Sequence, residues 1–159
     1  MITKVMEILQ GIFEEELTKK SSYYSDDLID SIVLRAVDPK DPTPSLGFLV
    51  GEARPKDYQI GEHYPLNWIS PLQIQLFVKH ASEVEGLSLI RLLIRRLFLS
   101  LFRETTSQAL LVSDSLGALT ERVVKYNVVS KNYASAIVGG GFVFAATIEM
   151  DFLIEMNIT

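Results

Sequence analysis

The sequence has no cysteine among its 159 residues and only two histidines. The absence of cysteine excludes disulfides, thiolate metal sites and cysteine nucleophiles, and it is typical of proteins in reducing compartments. The two histidines, His63 and His80, lie in different predicted elements and lack the spacing of metal ligands. We therefore expect neither a metal site nor a cofactor.

Positive charge and uncharged apolar segments are also scarce. The net charge of −5 does not give the basic surface of a general nucleic-acid binder. The most apolar window, GLSLIRLLIRRLFLSLF, carries Arg91, Arg95 and Arg96 at its centre, and each would cost about 2.5–3.5 kcal/mol to insert into a bilayer. The first residues, MITKVMEILQ, lack the uninterrupted apolar region of a signal peptide. We expect no membrane segment.

What is present is an ordinary globular composition, with 48% hydrophobic and 22% charged residues. Such a chain can form a core without disulfides, and its length favours one domain over residues 1–159. No internal repeat or low-complexity linker divides it.

Two segments have the apolar spacing of helices. The first is residues 2–20, which ends before the loop SSYYSDD. The second is residues 83–103, whose apolar arc is wider than one core stripe and includes Leu92 and Leu99. Either a neighbouring subunit covers the extra arc, or the helix lies between the sheet and the first helix. The predicted core stripe is Val84, Leu87, Ile90, Ile94, Leu97, Phe98 and Leu101.

The remaining apolar segments predict strands. Three prolines make DPKDPTP a connection, and Pro71 fits only near the start of a strand or at an edge. The polar and aromatic segment 53–68 predicts an extended hairpin arm with its tip near Gly61. The predicted strands are residues 30–37, 45–53, 70–79 and 120–130, with a short one at 108–113.

The closing segment, GGGFVFAATIEMDFLIEMNIT, alternates with period two from Phe142 to Ile158. A strand of this length spans roughly 55 Å, whereas a compact chain of this size is about 40 Å across. A bulge near 145–147 would fold it into two sheets. Alternatively, neighbouring subunits cover part of it. KNYASAIVGGG predicts a mobile glycine-rich connection in an antiparallel hairpin with residues 120–130.

These elements predict an α+β fold. It consists of a mixed, mostly antiparallel β-sheet with an N-terminal helix and a long apolar helix packed on it, plus the extended β-hairpin arm.

No segment predicts a catalytic site. Gly139–Gly141 lacks the Lys-Ser/Thr of a phosphate loop, and no nucleophile elbow is present. Glu149 and Asp151 share a strand face about 7 Å apart, within the range of inverting glycosidases. A carboxylate pair on an exposed strand face is usually only solvated, and no aromatic sugar platform alternates with this one, so the solvated face is the favoured interpretation. The acidic run Glu14–Glu16 predicts the wet face of a helix. The arginines of the second helix can pair with acids across a subunit boundary, clamp phosphate, or extend to solvent.

The order of elements resembles the tail terminator (tail-completion) proteins of long-tailed phages and related contractile injection devices. The resemblance covers most of the chain. It is carried by the opening helix, by PSLGFLVGEA leading through the arm into SPLQIQLFVKHASEVEGLSLIRLLIRRLFLSLF, and by GGGFVFAATIEMDFLIEM. These are patterns of spacing, so no residue of the family can be assigned individually.

The resemblance implies a structural virion protein without enzymatic activity. Such a protein forms a homohexameric ring on the tail tube, stops tube polymerisation and joins the head through connector proteins, while DNA passes through the lumen without specific binding. It would be assembled in the host cytoplasm and reside at the head-proximal end of the tail. The alternative is a stand-alone α/β ligand-binding protein or small hydrolase, which needs a deep pocket.

Two sets of residues are the hypothetical sites of such a ring. One faces the lumen, and the other contacts adjacent subunits, because aromatic side chains on an arm and an over-wide apolar helix suit interfaces. The lumen set is Glu149, Asp151 and Glu155. The subunit-interface set is Tyr58, Tyr64, Trp68, Leu92, Arg95, Arg96 and Leu99.

Overall fold

The computed structural model describes residues 1–56 and 66–158. Three helices and seven strands lie in this part of the chain. The helices are α1 (Ile2–Leu17), α2 (Glu83–Leu101) and α3 (Glu104–Leu110). The strands are β1 (Ser31–Ile32), β2 (Ser45–Val50), β3 (Arg54–Pro55), β4 (Leu66–His80), β5 (Ser113–Leu116), β6 (Leu119–Val138) and β7 (Gly141–Ile158).

The strands form one sheet in the order β1-β2-β4-β7-β6-β5, with β3 pairing to β4 beyond the end of β2. β1 and β2 are parallel, and every other described pair is antiparallel. With the N-terminal helix, this confirms the predicted α+β class and its mixed, mostly antiparallel sheet.

The long closing strand, β7, lies at the centre of the sheet. It pairs with β4 from His80↔Phe142 to Leu66↔Met156 without a register shift, and with β6 along its other side. The bulge proposed near 145–147 is therefore absent, and the irregularities lie in β6, at Val123/Lys125 and Val128/Ser130. The expectation that neighbouring subunits cover an edge of this strand is wrong, because β4 and β6, with 15 and 20 residues, pair along its two edges.

Helices cover one face of the sheet. The even-numbered residues of β7 from Phe144 to Ile154 are buried, as are those of β4 from Leu72 to Val78. α2 packs on both strands and against α1, whose Phe13 stacks on Phe48 with ring centroids 6.3 Å apart. Because α1 also reaches the sheet, the two helices lie side by side on one face, and α2 is not enclosed between the sheet and α1 as one of the two expected arrangements had it.

The burial of α2 differs in detail from the predicted stripe. Val84 is 75% exposed, whereas Leu93, outside the stripe, is 1% exposed. Ser82 caps the helix by accepting a hydrogen bond from the Glu85 backbone N–H at 3.3 Å. Val84 lies in this first turn, ahead of the part of the helix that reaches the sheet.

The predicted bounds of several strands were wrong. β1 is only two residues long, although Val33 N–H still bonds to Leu46 C=O at 2.9 Å. The short strand predicted at 108–113 is wrong, because residues 108–110 belong to α3 and β5 begins only at Ser113. β6 continues to Val138, so most of the predicted mobile connection is strand, and only Gly139 and Gly140 turn the chain.

Gly139 and Gly140 have φ of 57° and 80°. Positive φ at both central residues is the requirement of the type I′ turn that suits a two-residue hairpin, and glycine adopts it without steric cost. The hairpin itself was predicted correctly.

Pro71 lies inside a central strand, contrary to the prediction. Its carbonyl accepts a hydrogen bond from Gly51 N–H at 3.0 Å, in the gap between β2 and β3. The N–H and C=O of one strand residue point to the same side, so the missing proline donor faces this break in the neighbouring strand.

The base of the predicted arm is present, because β3 pairs with β4 at Arg54↔Ile69 and Pro55↔Trp68. The tip near Gly61 and the candidates Tyr58 and Tyr64 lie outside the described residues.

Candidate interaction surfaces

The face of the sheet opposite the helices carries the three carboxylates predicted to share one side. Glu149, Asp151 and Glu155 are all half-buried, and they pair in register with Gln73, Pro71 and Asn67 of β4. The alternation along β7 places them opposite the buried even-numbered positions. We call this the open face.

Each of these carboxylates has polar partners within the chain. Glu149 accepts hydrogen bonds from Gln73 Nε2 at 2.9 Å and Ser130 Oγ at 3.0 Å. Asp151 lies 3.5 Å from Arg54, and Glu155 lies 2.8 Å from Arg122. Two of the three charges are therefore ion-paired, which the sequence did not indicate because both arginines come from other strands.

A groove of about 320 Å³ lies on the open face, lined by Glu149, Asp151, Arg54 and the apolar Leu49 and Val129. Its volume is at the lower end of ligand pockets. A glycosidase acid needs one carboxyl group free to donate a proton and another free to activate water or attack. Here both carboxylates are held by neighbouring side chains, so the groove gives little support to the hydrolase alternative.

The outer side of α2 and its C-cap expose two basic side chains followed by two apolar ones. Arg91 and Arg95 are exposed, and neither has an ion pair or side-chain hydrogen bond within the described residues. Leu99 and Phe102 are 54% and 60% exposed. We call these four residues the α2 strip. Leu92, also predicted to contact a neighbour, is half-buried beside it.

Arg96 differs from its neighbour Arg95 because it contacts the chain's own loop. Its Nη1 donates to the carbonyls of Asp26 and Asp27 at 2.7 and 3.0 Å, and its guanidinium lies 4.1 Å from the ring centre of Tyr24. Asp27 has a φ of 56°, which is uncommon for a non-glycine residue. Arg96 thus fixes the loop after α1, and this intrachain role was not predicted.

A buried polar cluster joins α1 to the end of α2. Glu16 is 8% exposed, which contradicts its prediction as part of a wet helix face. Arg103 Nε lies 2.6 Å from Glu16 Oε1, and Ser100 donates to the other oxygen. Arg103 also covers the ring of Tyr23 at 4.1 Å. An ion pair explains how a carboxylate is accommodated here.

The edge of the sheet at β6 is largely unpaired. β5 pairs with β6 only along Leu119–Arg122, and Val123 N–H bonds to Val112 C=O. Within the described residues no strand borders the outer edge from Val124 to Val138. The exposed apolar side chains of this segment include Val129, Tyr133, Ile137 and Val138.

The α2 strip and the β6 edge are adjacent. Lys131 Nζ lies 5.8 Å from the ring centre of Phe98 in α2 and 5.3 Å from that of Tyr133 in β6. Phe98 also stacks on Phe102 of the strip, with centroids 6.0 Å apart. Together they form a surface that is apolar and basic.

The fold brings only some of the predicted interface residues together. Arg95 and Leu99 share the α2 strip, with Leu92 beside it. Trp68 is half-buried opposite Ile154 in the sheet, on the helix-covered side. The β6 edge was not predicted, because KNYASAIV was interpreted as a connection. Tyr133 and Ile137 nevertheless fit the alternation of a strand.

The described residues include no group of three or more His, Asp or Glu side chains arranged to hold a metal ion. None of the helices found in residues 1–56 and 66–158 has the length and apolarity to cross a membrane. No family model matches the sequence, and no curated protein matches it significantly.

Proposed function

We propose that this chain is a structural subunit of a phage tail or a related contractile injection device, where copies form a ring that ends the tail tube. Support comes from the order of elements and from the helix-covered sheet with its arm base, as in the resemblance to tail terminator proteins. In this role the ring, a homohexamer, contacts the tube protein on one side and head-to-tail connector proteins on the other.

The observation that carries the proposal is the α2 strip. Two arginines that have no ion pair or side-chain hydrogen bond to any residue of 1–56 or 66–158 form a continuous helix surface with two large exposed apolar side chains. The polar groups of the open-face groove, by contrast, are already paired. Exposed aromatic and arginine side chains are the types enriched at protein interfaces. These features support the binding of a protein partner more than the binding of a substrate.

The proposed location is the head-proximal end of the tail, after assembly in the host cytoplasm. In a ring of this kind the open face would line the lumen, and its carboxylates would keep passing DNA from binding. No catalytic step is assigned to the chain.

Removal of the gene from the phage or device that encodes it tests the proposal. We expect tails of uncontrolled length, or heads and tails that do not join, when particles are imaged. Addition of the purified protein to such tails should cap them. Normal particles in the absence of the protein would exclude the proposed function.

The α2 strip can be tested separately with Leu99→Glu, which places a charge on an exposed apolar position. We expect a folded protein that no longer caps tails. The matched control is Val84→Glu, which is on the same helix and more exposed, but outside the strip, and it should cap normally. Equal capping by both variants would remove the strip from the proposed interface.

A further inference from the structure

We infer that the free chain pairs with a second copy of itself through the outer edge of β6, in an antiparallel, two-fold arrangement centred on Ser135. The contact goes beyond the proposed ring. A two-fold contact uses the same surface on both copies and closes on itself, so it cannot run around a ring.

The first reason is the length of the edge. Unpaired strand edges are templates for another strand, and most proteins shorten, charge or cover them. The other edge strands among the described residues are β1, β3 and β5, which have two, two and four residues. In the part of the chain that the structure describes, only β6 offers a long unpaired edge, from Val124 to Val138, so the matching strand in a second copy is β6 itself.

The second reason is that the segment 132–138, NYASAIV, is complementary to itself. Pairing about Ser135 places Tyr133 opposite Ile137 of the second copy, and Ile137 opposite its Tyr133. Both side chains lie on the helix-covered side of the sheet, since their partners in β7 are Ala146 and Phe142. They are 47% and 76% exposed in the single chain. Aromatic and β-branched residues opposite each other are favourable cross-strand pairs.

The third reason is charge. The segment contains no charged residue, no proline and no glycine, which is the composition of self-pairing strands. The nearest charge, Lys131, would lie opposite Gly139 of the second copy, so no like charges face each other. The register shifts of β6 end at Ser130, which leaves the paired segment regular.

The absence of native cysteine allows a direct test. Ser135→Cys places the thiol of one copy opposite the same thiol of the second copy. The two Cβ atoms would be about 4.5–5.5 Å apart, close to their separation in a disulfide. Under mild oxidation we expect a covalent dimer. Ser88→Cys, at an exposed position of α2, is the control and should remain monomeric. Equal cross-linking of the two variants would overturn the inference.

The register is tested by mixing two further variants. Tyr133→Cys and Ile137→Cys should form a mixed dimer rapidly, because these positions face each other, whereas each variant alone should react slowly. Cross-linking of each alone as fast as the mixture would exclude this register.

A charge at the two-fold position tests the contact without cysteine. Ser135→Lys should raise the dimer Kd at least about fivefold in sedimentation, and a mixture with Ser135→Asp should recover pairing. Ser88→Lys should have no effect. A wild-type chain that stays monomeric at high micromolar concentration, or dimers indifferent to Ser135→Lys, would overturn the inference. Both results are independent of tail capping, so the pairing and the proposed function fail separately.

Discussion

Arg95 and Arg96 are adjacent in the sequence but have different surroundings. Arg95 is exposed, whereas Arg96 bonds to two loop carbonyls and stacks on Tyr24. The sequence predicts that both lie on α2, because helical spacing fixes their positions. It does not predict which one meets the loop, because that depends on how residues 18–30 return to β1.

A conservative substitution distinguishes the two arginines. We expect Arg96→Lys to lower the free energy of unfolding by about 1 kcal/mol, because lysine cannot bond to two carbonyls while stacking on the ring. Arg95→Lys should leave it unchanged. Chemical denaturation of both variants measures the difference, and equal stabilities would show that the Arg96 contacts contribute nothing net.

Asp41 is the residue whose ionisation is most clearly set by its neighbours. Its carboxylate accepts hydrogen bonds from Arg35 Nη2 at 2.7 Å, from Nη1 at 3.0 Å and from Asp38 N–H at 2.8 Å. The Arg35 hydrogen bond, followed by that of the backbone, lowers the pKa of Asp41 below its usual range. The interaction therefore favours folding above the ordinary aspartate pKa and is lost as the pH falls through the lowered value.

An NMR titration of Asp41 measures this effect. We expect its pKa to lie below the ordinary aspartate value of about 3.9 in the wild type, and to move back towards it in Arg35→Gln. The same pKa in both proteins would contradict the assigned cause.

At the scale of elements, the period of the apolar residues determined what could be predicted. The alternation along β7 gave its length and its buried face, and helical spacing gave α1 and α2. The lengths of β1 and β6 were predicted wrongly, because they depend on pairing with strands that are distant in sequence. Residues 33–37 have strand composition, but the chain leaves the regular ladder after Ile32. KNYASAIV is a strand because β7 pairs with it along its full length.

Buried polar contacts were the other failure. Glu16 and Arg103 are far apart in sequence, and only the packing of α1 beside α2 brings them together. An acidic run gives the average exposure of a helix face, but it does not identify the member that turns inward.

Gly11 lies in α1 and Gly86 lies in α2, and their substitution by alanine compares the effect of close packing with the effect of helix propensity. A Cβ at Gly86 would collide with the ring of Phe144 and lie 2.9 Å from His80 Cβ, whereas one at Gly11 would meet nothing within 4 Å. We expect Gly86→Ala to lower the free energy of unfolding by about 1–3 kcal/mol, because α2 must move away from the sheet.

The control is Gly11→Ala, in the exposed middle of α1. It should raise stability by up to about 1 kcal/mol, because alanine is the better helix former and has space. Thermal or chemical unfolding of both variants gives the two signs. A stabilising Gly86→Ala would mean that α2 does not approach β7 as closely as described.

For the whole molecule, the asymmetry of the sheet would have a functional consequence in the proposed ring. The helices cover one face, and the other carries a row of carboxylates. If this open face lines the lumen of the proposed ring, its charge affects the passage of DNA, because each neutralised phosphate releases counterions and adds affinity. The pairing of Asp151 with Arg54 and of Glu155 with Arg122 makes the wall less acidic than the sequence suggests. Glu149 has only the neutral partners Gln73 and Ser130 in the part of the chain that the structure describes.

Replacement of Glu149, Asp151 and Glu155 by lysine tests the position of this face. Each subunit would change from −5 to +1 in net charge, and the arginines that now pair would face like charges. We expect particles that assemble with this variant to eject DNA more slowly at low salt, and the delay to shrink as salt shortens the screening length to about 10 Å at 0.1 M. The matched control moves the same charge on exposed helix positions, with Glu7, Glu15 and Glu83 replaced by lysine. Because these side chains lie on the helix layer, ejection should remain normal. Equal ejection rates for the two variants at every salt concentration would place the open face away from the DNA path.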